Sequence, residues 1–207
     1  MAILVFDTTG AECSVALRID GQQDIVLSET IGRGHAERLA PMAQEALRQA
    51  GMEPRALKRI GVTIGPGGFA GTRVGVAFAR GLALSTGARA YGISNLAVIA
   101  HSLSATRPLA TVHDAKRGEV VLQIWRDEAD EAQRLSIEDA SARVAGLALA
   151  GGGAALVACE GQNILDDGKL DLVALLDVAG QAGEDQSPPT PFYVRPPDAK
   201  LPGGVDP

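Results

Sequence analysis

The sequence predicts an α/β fold of two lobes, on three observations. Short apolar runs separated by turn residues open the chain as hairpins. From residue 35 strand-like and helix-like patterns alternate. From about residue 109 a second, less complete pass of the same kind begins. A boundary between 104 and 105 divides the chain into a βββαβαβα lobe, residues 1–104, and a smaller lobe with a proline-rich tail, residues 105–207.

Each element has its own signal. Ile3 to Phe6 is a short apolar run and reads as a buried strand. Asp7-Thr8-Thr9-Gly10 is turn chemistry, Cys13 to Leu17 a second strand, Asp20-Gly21 another turn, and Ile25 to Glu29 a third strand. At His35 the period changes. Leu39, Met42, Ala43, Ala46, Leu47 and Ala50 recur at helical spacing, and Gly51 ends the run. Pro41 must sit in an early turn or kink this helix, because it has no N–H to donate. Ile60 to Ile64 reads as a strand, Gly71 to Ser85 as a helix, Ala90 to Ile93 as a strand, and Ser94 as the cap of a helix to about Leu103. The second pass has strands at Leu109 to His113 and Val120 to Trp125 around the turn Lys116-Arg117-Gly118. Ser136 and Asp139 open a helix expected to reach Ala150. A triple-glycine break follows, then a strand at Ala155 to Cys159 and a helix at Leu172 to Val178. The tail from Ser187 onward is expected to be extended.

Composition narrows the function classes. The 207-residue chain is 46% hydrophobic, enough for a substantial core, and its net charge is −6. An acidic chain with 3% aromatic residues is poorly equipped to hold a polyanion by itself, so any nucleic-acid role is expected to be indirect. Cys13 and Cys159 lie in apolar stretches outside any CxxC pattern and read as buried thiols. The opening residues have no basic region and too short an apolar run for a signal peptide. No stretch has the apolar length of a membrane span, and the cytoplasm is the expected location.

The glycine cluster Gly65-Pro66-Gly67-Gly68-Phe69-Ala70-Gly71 is the most informative stretch. It lacks the Gly-Lys-Ser/Thr ending of a Walker loop. It matches a dinucleotide fingerprint by letter, but it follows the fourth strand, and no Asp or Glu occurs between Glu53 and Asp114 to hold a ribose. Two readings stand: backbone amides presented to an anion at a helix start, or a tight turn with no ligand. The helix that follows repeats small residues at Gly71, Gly75, Ala79 and Ala83, beside a ridge of Val74, Phe78 and Leu82. That stripe suits either packing within the lobe or docking of a second polypeptide. Asp7, at the end of the first strand, could orient a magnesium-bound water, or it could accept hydrogen bonds from the Thr8–Thr9 turn. His35, His101 and His113 form no HxxxH pair and no catalytic set.

Taken together, these residues resemble a known family. Asp7 to Leu17 looks like the phosphate hairpin of the actin/Hsp70/sugar-kinase (ribonuclease H-like) superfamily. His35-Ala36-Glu37-Arg38-Leu39-Ala40-Pro41-Met42, the run Gly65 to Gly75, Asp114 to Val120 and the tail Phe192 to Lys200 follow in the order of the TsaB (YeaZ) family. Gly68 and Ala70 stand where that family usually has Ser and Thr. The resemblance implies an α/β fold of actin type, two-lobed with the second lobe reduced. It also implies a non-catalytic role in adding a threonylcarbamoyl group to the adenosine beside the anticodon of tRNA. Implied partners are TsaD in a heterodimer, the ATPase TsaE, a second copy when the chain is alone, and tRNA mainly through the complex. His35, Leu39, Met42, Ala43, Gly71, Arg73, Gly75, Phe78 and Ala79 are the implied partner interface. Asp7, Thr8, Thr9, Gly65, Gly67 and Gly68 are the implied vestigial nucleotide crevice, with no tightly bound cofactor or metal and at most weak ADP or ATP there or at the heterodimer interface. The competing expectation is a stand-alone nucleotide-dependent phosphotransferase using Asp7 and Asp114.

Overall fold

The computed structural model describes residues 1–104, 106–183 and 188–194. Two five-stranded sheets form its framework. In the first, β1 (Ala2–Asp7), β2 (Glu12–Ile19) and β3 (Ile25–Thr30) make an antiparallel meander, and β4 (Arg59–Thr63) and β5 (Arg89–Ile93) add in parallel on the other side of β1. The strand order is β3-β2-β1-β4-β5. The second sheet repeats it. β6 (Leu109–Lys116), β7 (Glu119–Trp125) and β8 (Gln133–Ser136) form the meander, and β9 (Ala148–Ala150) and β10 (Ile164–Asp166) continue in parallel from β6.

The helices occupy matching places. α1 (His35–Gln49) and α2 (Phe69–Thr86) cover one face of the first sheet. On the second sheet these places are taken by the shorter α4 (Ile137–Val144) and α5 (Ala154–Val157). The last helix of each half packs on the other half's sheet. α3 (Asn95–Ser102) brings Ile99 and Ala100 against Leu109 and Ala150. α6 (Leu172–Gln181) buries Leu172, Ala174, Leu175, Leu176 and Ala179 against Ile3, Val5 and Ala16. β1 is therefore buried on both faces along its whole length, which is why it reads as an unbroken apolar run. Each fully buried Leu of α6 contributes about 1.5–3 kcal/mol.

Local chemistry fixes the ends. Gly34 (φ 91) precedes α1, and Gly87 (φ 78) closes α2 by donating its N–H to the Ala83 carbonyl. Pro41 lies inside α1 beyond its first turn, on the exposed side, and has no N–H to give to the helix ladder. Ser136 Oγ accepts from Asp139 N at 3.0 Å, and Asp171 Oδ1 from Val173 N at 2.8 Å.

Several expectations for the second half are corrected. The helix after Ser136 stops at Val144, and Ala148–Ala150 is strand β9. Ala155 to Cys159 is not a strand: residues 154–157 form α5, one helical turn. Cys159 is consequently exposed, whereas Cys13 is buried in β2. β8 and β10 have no counterpart in the sequence reading. Of the tail, Pro188 to Val194 is irregular, and 184–187 and 195–207 lie outside the described residues. Among the described residues no helix is long and apolar enough to cross a membrane.

Candidate functional site

The crevice between the two sheets is a cavity of about 230 Å³. Asp7, Thr9, Gly10 and Glu12 line it from the first hairpin, Pro66 and Gly67 from the glycine loop, and Asn95 and Ile99 from α3. Val112, His113, Gly152 and Lys169 close the opposite wall. Its floor is a web of short polar contacts. Asp7 Oδ1 accepts from Thr9 N at 3.0 Å, from Thr9 Oγ1 at 2.7 Å and from Thr63 Oγ1 at 2.5 Å. Asn95 Nδ2 donates to Thr9 Oγ1 at 2.6 Å, and Asn95 Oδ1 accepts from Gly65 N at 3.1 Å. Buried polar groups joined this way hold a unique geometry, because breaking one contact strands its partner away from water. Asp7 thus ties the first hairpin to β4, and Asn95 ties it to the glycine loop. Thr8 does not bond to Asp7 as the turn reading allowed. Its hydroxyl donates to the Gly71 carbonyl at 2.7 Å.

The glycines answer to this web. Gly68 N donates to the Thr9 carbonyl at 2.7 Å. A Cβ on Gly67 would lie 2.7 Å from Thr9 Cβ, and one on Gly71 would lie 1.8 Å from the Thr8 carbonyl oxygen. The loop is pressed onto the hairpin backbone, and side chains are excluded there for want of room. Gly65, Gly67, Gly68, Asp7, Thr8 and Thr9 are brought together as the sequence suggested. The Gly65 and Gly68 amides and the Thr8 hydroxyl are bonded to Asn95, Thr9 and Gly71 of the same chain.

The residues assigned to a partner interface separate into two groups. Leu39, Met42, Ala43 and Ala79 are core residues at 3% exposure or less, and His35 is buried with Nε2 3.2 Å from the Glu12 carbonyl. Gly71 and Gly75 face Thr8 and Val62. The small-residue stripe is therefore used within the chain, where Gly71 and Gly75 seat α2 on Thr8 and Val62. Phe78 is half-buried, edge-on to Phe6 at 5.3 Å, and Arg73 is exposed. The outer surface of the helix pair is formed by Pro41 and Gln44 of α1 and by Arg73, Ala77 and Leu84 of α2.

Sequence reasoning missed Thr63, Asn95 and Lys169. Thr63 ends a strand and Asn95 follows a helix cap, and neither position has a periodic signal. Lys169 Nζ lies 3.5 Å from Glu12 Oε1, joining the two walls at the crevice edge. His113 stands within β6 on the crevice wall, where burial pushes its imidazole below the usual 6.5. Asp114 turns away to Lys116, whose Nζ and backbone N–H donate to it at 2.6 and 2.8 Å and hold its carboxyl below the ordinary range. Among the described residues no three His, Cys, Asp or Glu side chains are grouped to hold a metal.

With this geometry described, similarity to known proteins can be placed on it. The family model described as "TsaD: tRNA N6-adenosine threonylcarbamoyltransferase" matches residues 23–165, more than half of the chain. A crystal structure from Pseudomonas aeruginosa, of an uncharacterized protein with similarity to peptidase YEAZ, is 30% identical. It covers 94% of this chain and 99% of its own, with a TM-score of 0.78. The chain belongs to this family, in its TsaB (YeaZ) branch. The Escherichia coli K12 protein called "tRNA threonylcarbamoyladenosine biosynthesis protein TsaB" is 36% identical over 144 residues, 64% of this chain. This TsaB-family chain spans 62% of that relative's length. The ethanolamine utilization protein EutJ of Carboxydothermus hydrogenoformans, 9% identical at a TM-score of 0.51, shares the fold alone. The fold is α/β, of the actin/sugar-kinase type, with two sheets and a reduced second half.

Proposed function

We propose that this chain is a non-catalytic partner subunit in the formation of threonylcarbamoyladenosine in tRNA, required by the transferase that attaches the group. The observation that carries the reading is the occupied state of the crevice floor in a chain of this family. Asp7 Oδ1, the Thr9 hydroxyl, the Asn95 amide and the Gly65 and Gly68 N–H groups are bonded to one another or to neighbouring backbone, which suits a rigid scaffold better than a reaction centre. The phosphotransferase reading needs a second acid beside Asp7, and Asp114 is turned to Lys116. The same proposal leaves the crevice without a tightly held cofactor. ADP or ATP would be held weakly there or at the junction with the transferase.

The transferase, TsaD, docks on the outer surface of α1 and α2, through Phe78 and the exposed positions around Pro41, Gln44 and Ala77. Alone, the chain pairs with a second copy through the same surface, and the ATPase TsaE joins the heterodimer. The halves 1–104 and 105–207 act as one body, because α3 and α6 each pack on the other half's sheet. The test is a reconstituted modification assay containing TsaD, TsaE, the enzyme that makes threonylcarbamoyl-adenylate, ATP, threonine, bicarbonate and substrate tRNA, with and without this chain. Modified adenosine should form only when the chain is added, and the chain alone should turn over no ATP. Modification that proceeds equally without it would sink the proposal.

A further inference from the structure

The polar web on the crevice floor leaves one atom of Asp7 unused. The residue is 6% exposed, and its Oδ1 accepts from Thr9 N, Thr9 Oγ1 and Thr63 Oγ1, none of which carries charge. Among the described residues Oδ2 has no hydrogen-bond partner and Asp7 no ion pair. No fully buried side-chain oxygen or nitrogen is left without a partner among the described residues, so Oδ2 reaches open space. The open space that Asp7 lines is the crevice. A carboxylate withdrawn from water with no cation beside it is costly, and a charged partner from outside relieves that cost.

The rest of the lining selects that partner. Glu12 adds a second carboxylate at the edge, and Lys169, the one Lys or Arg of the lining among the described residues, is already drawn to it at 3.5 Å. The His113 imidazole has no hydrogen-bond partner among the described residues, and burial pushes its pKa below 6.5, so it adds little positive charge at about pH 7.5. Beside these groups lie four apolar side chains, those of Leu96 and Ile99 from α3, Val112 from β6, and Leu170. The cavity of about 230 Å³ is smaller than the roughly 300–1,000 Å³ of sites for drug-sized ligands. The lining therefore suits a small molecule with one positive end and one hydrocarbon end.

We propose that the crevice binds a small aliphatic ammonium compound, its N–H groups donating to Asp7 Oδ2 and its hydrocarbon lying on Leu96, Ile99, Val112 and Leu170. A primary ammonium has donors and no acceptor, which matches a free carboxylate oxygen. A free amine and an amino acid both present this group, and the experiment separates them. A phosphate chain matches less well, because it brings more negative charge beside Asp7 and Glu12 and places nothing on the apolar wall. The occupant is bound and not transformed, so the inference is independent of the proposed partner role. It leaves the junction with the transferase as the place for a weakly held nucleotide. Asp7 and Val112 belong to different sheets, so an occupant joins the two walls and stabilises the folded chain.

The experiment follows the amide NMR spectrum and the thermal unfolding of the full-length chain at about pH 7.5, where an alkylamine is charged. The chain is titrated separately with isobutylamine, isobutanol, L-valine and magnesium pyrophosphate. Isobutylamine should shift the resonances of Thr9, Asn95, Ile99 and Val112 and raise the melting temperature as it saturates. Isobutanol, similar in shape and uncharged, should bind about tenfold or more weakly. Asp7→Asn should lose about tenfold or more of the isobutylamine affinity and keep that for isobutanol, a pattern that a loosened fold does not produce. If L-valine binds more tightly than isobutylamine the source is an amino acid, and if more weakly a free amine; both uphold the inference. Amine and alcohol binding alike, or an amine that leaves these resonances unmoved at about 50 mM, overturns it. So does magnesium pyrophosphate that shifts the same resonances at lower concentration, which would make the crevice a phosphate site. Should Asp7→Asn fail to fold, the comparison of amine with alcohol on the unaltered chain decides. None of these readouts involves tRNA or the transferase, so the partner role stands or falls separately.

Discussion

The two sheets have one strand order and one set of strand directions, yet they are covered very differently. The first has helices of 15 and 18 residues on its outer face, and the second has helices of 8 and 4 in the same places. Both have glycines at the crevice end. Gly67 and Gly71 close on the Thr8–Thr9 backbone, while Gly151 and Gly153 close on β6, where added Cβ atoms would lie 2.4 Å from the Val112 carbonyl oxygen and 2.8 Å from Asp114 N. The architecture thus sets the crevice walls twice, by the same device. What differs is the outer surface: among the described residues only the first sheet is covered by long helices with an exposed face to offer a partner.

The exchange of α3 and α6 limits how independent the halves are, and it gives the largest expected effect. Leu175→Ala, in α6, should destabilise the chain by about 2–5 kcal/mol in urea unfolding. Hydrogen exchange should show the loss in β1 and β4 of the first sheet, whereas Leu149→Ala should open β6 and β9. Loss confined to α6 would mean that the exchanged helices do not couple the halves.

A smaller effect separates the two sides of α2. Gly71→Ala forces a Cβ onto the Thr8 carbonyl and should cost about 1–3 kcal/mol, while Gly81→Ala, with open space around it, should gain about 0.5–1 kcal/mol through helix propensity. Gly75 belongs with Gly71, since its Cβ would lie 2.6 Å from Thr8 Oγ1. Gly75→Leu would therefore test folding and not pairing.

The second sheet's crevice wall has a pH signature. Burial lowers the His113 pKa, so the unfolded chain takes up a proton more readily than the folded one. Stability should be complete above pH 6.5 and fall as the pH drops from there through the folded value. His113→Gln should flatten that part of a stability-against-pH curve, and an unchanged slope would remove His113 as its source. The smallest effect concerns the cysteines. Burial pushes the Cys13 thiol up to about 11, while Cys159 is exposed. Native alkylation followed by mass spectrometry should label Cys159 and spare Cys13.

Legibility followed element length. In the first half every strand and helix was readable, because α1 and α2 span several turns and β1 is covered on both faces. In the second half β9 and β10 have 3 residues each and α5 has 4, too few to establish a period. Ala155 to Cys159 reads as a strand by composition, and only the neighbouring glycine turns make it a helical turn. The crevice was legible as a set of residues but not as a state. Asp7 and the glycine loop stood out, while the groups that occupy them, Thr63 and Asn95, are ordinary letters in ordinary positions. The small-residue stripe of α2 could face a partner or the chain's own sheet, and sequence cannot separate these, since both require close approach.

The central claim is that this chain acts through its outer helical surface and not through crevice chemistry. The most direct measurement is the rate of tRNA threonylcarbamoylation in the reconstituted system with two variants, Pro41→Arg/Ala77→Arg on the surface of α1 and α2, and Lys169→Ala at the crevice. The account predicts that the surface variant loses transferase pairing and most of the rate, while Lys169→Ala keeps both. A surface variant with full rate, beside a crevice variant that has lost it, would contradict the account.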